Sequence, residues 1–108
     1  MPKFLMQAQY STEGLKRLMQ DTAAVRTEEL KKAVASVGGR LEGLYWALGD
    51  DDAILLVDLP DSVSAAAAGM AASASGHARV RTTRLLTAGE VDQALAKIVR
   101  FREQKNKT

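Results

Sequence analysis

Gln7 and Gln9 lie two apart in a segment where Phe4, Met6, Ala8 and Tyr10 alternate with Leu5 and the two glutamines. Period two predicts a strand whose successive side chains point to opposite faces. Both amides then share one face, and Phe4, Met6 and Tyr10 share the other. Amides beside an aromatic such as Tyr45 or Trp46 suit a small mixed pocket, apolar with a few hydrogen-bonding groups. They equally suit hydrogen bonds across an interface between two copies of the chain. Arg79 and Arg81, again two apart, place two guanidinium groups on one face. That pair suits an anionic ligand, or the protection of a sheet edge by charge.

Asp50, Asp51 and Asp52 follow Gly49 directly. A bound metal needs several oxygen ligands at fixed spacing, and the EF-hand spacing is absent. Carboxylates in a short turn are read first as turn formers, with Asp52 satisfying backbone N–H groups. His77 is the sole histidine. Without a His or Cys neighbour it makes no zinc site. Beside Gly76 it reads as a solvated loop residue, and axial haem ligation is the other chemistry it offers. The chain has no cysteine, which excludes disulfides, cysteine-based metal sites and a thiol nucleophile. No Gly-rich phosphate loop, nucleophile elbow or histidine-paired nucleophile is present. No catalytic constellation emerges, and no cofactor is expected.

The elements that must carry these residues follow from spacing. After the first strand, Ser11-Thr12-Glu13 offers a helix start, because a hydroxyl accepts from a free N–H of the first turn. Leu15, Leu18 and Met19 continue at helical spacing, and Asp21-Thr22 interrupts or restarts the helix. Leu30, Ala33, Val34 and Val37 then form an apolar stripe that ends at Gly38-Gly39. Two β-favouring stretches, 41–48 and 53–59, flank the Gly49–Asp52 turn and predict a hairpin. In the first of them Leu44, Trp46 and Leu48 are expected on one side, with Leu41 and Tyr45 on the other. Residues 62–75 are rich in Ala, Ser and Gly. After Asp61 they read as a helix whose small side chains allow a close approach to a sheet. Residues 78–86 alternate again as a fourth strand. Thr87-Ala88-Gly89-Glu90 matches a capping box and opens a last helix through Val91, Ala94, Leu95 and Ile98.

The order β-α-β-β-α-β plus a terminal helix is the split βαβ signature, a ferredoxin-like α+β fold with a four-stranded antiparallel sheet. With 108 residues, a single domain over 1–108 is expected. The net charge of +2 is unevenly placed. Residues 97–108 hold five basic residues and one acid, +4, and are expected to fray after Phe101. Residues 1–96 hold ten basic and twelve acidic residues, −2, so the body gives no nucleic-acid footprint. No signal peptide and no membrane span are expected, which points to the cytoplasm. Both main helices of this topology cover one sheet face. Yet the third strand is largely apolar on both sides, with Ala53, Leu55, Val57 and Leu59 opposed to Ile54, Leu56 and Asp58. That pattern predicts a sheet-to-sheet homodimer. The alternative is a monomer in which the C-terminal helix folds across the second face.

Four stretches resemble one family. They are Gln9-Tyr10-Ser11-Thr12-Glu13-Gly14; Gly38-Gly39-Arg40-Leu41 through Leu44-Tyr45; Gly49-Asp50-Asp51-Asp52 leading to Val57-Asp58-Leu59-Pro60-Asp61; and residues 80–87. In order and spacing they are similar to the GYD domain family over about residues 3–98. Its namesake motif, commonly Gly-Glu-Tyr-Asp, aligns on Gly49, Asp50, Asp51 and Asp52, with Asp51 in place of the tyrosine. The resemblance implies a dimeric α+β barrel and assigns no activity. The leading expectation is a homodimeric small-molecule-binding protein with a site between two sheets, lined by Gln7, Gln9, Tyr45, Trp46, Asp52 and Arg81. The rivals are a cofactor-independent oxygenase or isomerase of the same architecture, and an interaction protein without a ligand.

Overall fold

Four side chains start the four helices. Ser11 Oγ accepts from the Gly14 N–H, Thr22 from Val25, Asp61 from Ser64 and Thr87 from Glu90. Each removes one of the unpaired donors of a first helical turn. The computed structural model describes residues 1–101. Its elements are β1 (Lys3–Tyr10), α1 (Thr12–Gln20), α2 (Ala23–Ser36), β2 (Arg40–Trp46), β3 (Ala53–Asp58), α3 (Ser62–Ala74), β4 (Ala78–Leu85) and α4 (Ala88–Ala96). The Asp21-Thr22 interruption is a restart: Thr22 caps a separate α2. Gly38 (φ 81°) and Gly76 (φ 77°) end α2 and α3 in the left-handed region.

The sheet has the order β2-β3-β1-β4, and each neighbouring pair is antiparallel. This is the expected ferredoxin-like α+β fold. Phe4, Met6 and Ala8 of β1 and Ala53, Leu55 and Val57 of β3 form the buried core with Val34, Leu59 and Ala65. α2 packs over β2 and α3 over β4. The two central strands therefore underlie the space between the helices. The opposite, open face carries Leu5, Ile54 and Leu56, half-buried, and exposed Tyr45. At one end of that face Asp58 is buried. It accepts from Lys3 Nζ at 2.9 Å and Arg40 Nη2 at 3.0 Å, while Lys3 also reaches Glu42 at 2.7 Å.

Two expectations change. A bulge between Leu41 and Gly43 pairs Leu41 with Val57 and Leu44 with Leu55, so both leucines face the helices and Leu41 parts from Tyr45. The extra residue resets the two-residue alternation, which strict counting cannot anticipate. α4 also stops at Ala96, short of Ile98, and residues 97–101 have no regular structure. The expected fraying after Phe101 concerns residues outside those described.

The capping box is present as expected. Thr87 N–H donates to Glu90 Oε1 at 3.0 Å, and the Glu90 N–H donates to Thr87 Oγ1 at 3.2 Å. Arg84 adds an ion pair to Glu90 at 2.6 Å. Arg84, then the Thr87 N–H, lower the Glu90 pKa to about 2. A lowered carboxylate pKa stabilises the fold fully above the unfolded value and loses that contribution as pH falls through the folded one. The first turn of α4 should therefore loosen between about pH 4.5 and 2. Amide exchange at Val91 read against pH by NMR checks this; protection unchanged down to pH 2 would contradict it.

Candidate functional site

A cavity of about 420 Å³ lies between α2, α3 and the sheet. Its origin is the size of the α3 side chains. Ala67, Ala68, Ala71 and Ala72 line one wall, and Leu30, Ala33, Val34 and Val37 of α2 line the other. The floor is Met6, Ala8, Leu55 and Val80. Alanine stops one carbon beyond the backbone, so α3 cannot reach across to α2, and the space over β1 and β3 stays open. α3 does approach β4 closely, as its composition predicts: a Cβ added at Gly69 would sit 3.4 Å from Thr82 Oγ1.

The polar lining groups gather mainly where β1 ends and β4 begins. Tyr10, Arg17, Arg26, Glu29, Ser75 and His77 form this mouth. Glu29 accepts from Arg17 Nη2 at 3.3 Å and from Arg26 Nη1 at 3.0 Å. Arg26 lies 3.8 Å from Asp21 as well, and its side chain is only 14% exposed. Arg17 also places Nη1 3.5 Å from His77 Nδ1. The mouth is held by backbone contacts. The Ser11 N–H donates to the His77 carbonyl at 3.0 Å, and Ser11 Oγ donates to the Gly76 carbonyl at 2.6 Å. His77 is thus a half-buried residue at the mouth, in the loop that leads into β4.

None of the six residues expected to line a ligand site borders this cavity. They fall into two groups. Gln7, Gln9, Tyr45 and Arg81 belong to the open face. There the β2–β3 connection folds back and bonds Gln7, Gln9 and Arg81. Asp51 Oδ2 accepts from Gln7 at 3.0 Å and Arg81 at 2.8 Å, and the Asp50 carbonyl accepts from Gln9 at 2.8 Å. Asp51 is the buried anchor of this loop. Trp46 and Asp52 instead hold Tyr10: the indole N–H donates to the phenol at 3.0 Å, and Asp52 Oδ2 accepts from the Tyr10 N–H at 2.7 Å. Asp52 thus does satisfy a backbone N–H, but on β1 rather than within its own turn. Arg17, Arg26 and Glu29 escaped sequence reasoning because charged residues on amphipathic helices read as solvated. The available signal was the run of alanines facing an ordinary apolar stripe.

Among the described residues no group of three His, Asp or Glu is placed to hold a metal ion. Likewise, no helix among them is long and apolar enough to cross a membrane. The fold and site define a ferredoxin-like α+β domain with a pocket under its helix layer. The GYD domain model matches residues 4–95, and the chain belongs to that family. No curated protein and no solved structure matches it at a comparable stringency.

Proposed function

We propose that this GYD domain is a homodimeric small-molecule-binding protein whose ligand sits between the helices and the sheet of each copy. The cavity carries this reading. At about 420 Å³, apolar within and polar at one end, it has the size and lining of a ligand pocket. The reading moves the ligand from the space between two sheets, where sequence reasoning put it, to the other face of the same sheet.

Self-association rests on the open face. α4 buries none of its residues and so does not cover that face; its Val91 and Leu95 are themselves exposed. The face has an apolar centre of Leu5, Ile54, Leu56 and Tyr45. At one end lie Lys3, Arg40, Glu42 and Asp58, at the other Arg81 and Asp51. Both ends carry paired charges of opposite sign. A second copy brought up by a two-fold axis therefore meets an apolar centre and a balanced polar rim, without like-charge repulsion. The occupant we assign to this face is that second copy, with Gln7, Gln9, Tyr45 and Arg81 at the interface.

Native mass spectrometry of the protein as purified tests both parts together. The expected spectrum is a dimer carrying a small adduct that leaves on activation. Leu56→Asp should shift the dimer to monomer while circular dichroism stays unchanged, because it puts a charge at the centre of the patch. A wild-type monomer at micromolar concentration overturns the dimer. A bare protein that also takes up no apolar carboxylate or alcohol overturns the pocket.

A further inference from the structure

The ligand class can be narrowed, an inference that rests on the pocket reading above. Two arginines and one glutamate line the cavity, and Asp21 lies against Arg26 behind them. The two arginines differ in what they already hold. Arg26 is largely buried between Glu29 and Asp21. Arg17 is half-exposed and has only the longer 3.3 Å contact to Glu29, with its other nitrogen 3.5 Å from His77. Arg17 is thus the cation with hydrogen-bonding capacity to spare, and it stands at the polar end. Beyond it the walls are Met6, Ala8, Leu30, Val34, Leu55, Ala68 and Val80, which offer no polar side chain to a ligand. A second charge or a polar chain carried inward would lose its hydration there without replacement.

We infer that the cavity takes an amphiphilic monocarboxylate, with its apolar body under α3 and its carboxylate on Arg17 beside His77. A carboxylate gains a charge-assisted hydrogen bond from the guanidinium that a neutral head group of the same length does not. Trp46, the only tryptophan, hydrogen-bonds the Tyr10 phenol at the cavity edge and so reports occupancy by its fluorescence.

The experiment titrates wild type, Arg17→Gln and Ala68→Leu with decanoate and with 1-decanol, below aggregation of either, by Trp46 fluorescence and calorimetry. Wild type should bind decanoate about tenfold or more tightly than decanol, the order expected of one charge-assisted contact. Arg17→Gln should abolish that preference while decanol binding is kept. Ala68→Leu, which fills the cavity, should weaken both. Equal affinity for acid and alcohol in wild type, or a preference that survives Arg17→Gln, overturns the monocarboxylate assignment and leaves the pocket standing. Failure of wild type to bind either compound overturns the pocket reading and this inference together.

Discussion

Gly14→Ala should destabilise the protein by about 3 kcal/mol, although glycine to alanine inside a helix normally stabilises by about 1 kcal/mol. A Cβ at Gly14 would lie 1.9 Å from the His77 carbonyl oxygen and 2.8 Å from its carbon. Those are backbone atoms, so no side chain can rotate away. Either α1 lifts from the start of β4 or the backbone at His77 moves. Each route loosens the hydrogen bonds from Ser11 to the Gly76 and His77 carbonyls. For a domain of this size the loss corresponds to a fall in Tm on the order of 10 °C or more. Gly89→Ala in α4 is the control. Its added Cβ meets nothing nearer than Thr87 Oγ1 at 4.0 Å, so stability should hold or rise slightly. Thermal unfolding of the two variants decides; equal small effects would show that the α1–β4 approach is not tight. Because His77 lines the cavity mouth, the same Gly14 variant should also bind ligand more weakly.

The second large effect belongs to Asp58. Its carboxylate is buried and accepts from both Lys3 and Arg40. Asp58→Ala removes two charge-assisted hydrogen bonds where β1, β2 and β3 meet, at a cost of about 2 kcal/mol. The hydrogen bond from Lys3, then that from Arg40, hold the Asp58 carboxyl below the usual carboxylate range. The stabilisation is therefore complete above the ordinary aspartate value and fades as pH falls through the lowered one. Wild type and Asp58→Ala should differ most near neutral pH and converge in strong acid. Urea unfolding across pH measures the gap. A gap that persists undiminished to pH 2 would mean that Asp58 acts through packing rather than charge. The Lys3 pKa is raised by the same cluster, through Glu42 first and Asp58 second. Lys3→Met should thus cost less than Asp58→Ala, since it leaves Arg40 on the carboxylate.

Asp51 anchors the β2–β3 connection. Its carboxylate takes hydrogen bonds from two strands at once, Gln7 on β1 and Arg81 on β4. The loop stays folded over the open face, held by polar contacts. Its other oxygen, Oδ1, is buried without a hydrogen-bond partner among the described residues. The carboxylate thus keeps the loop in place while leaving one acceptor unmet.

What the chain determines by local chemistry was legible in its residues. Period-two and period-3.6 patterns, the four capping residues, Gly38 and Gly76, and the Thr87–Glu90 box act within a few positions of themselves. They specified the element order and the ferredoxin-like topology. Tertiary structure alone decided the rest. A single extra residue moved Leu41 to the helix face. The β1–α1 segment with Ser11, Gly14 and Arg17, Glu29 of α2 and His77 before β4 are distant in sequence, yet they meet at one mouth where Ser11 bonds the His77 carbonyl. The six residues first expected around a ligand divide between the open face and the support of Tyr10, since a strand alternates its side chains between two faces and spacing does not say which face holds a void. The cavity is what α3 does not fill, and an unfilled volume depends on the distance between two elements that no local pattern encodes.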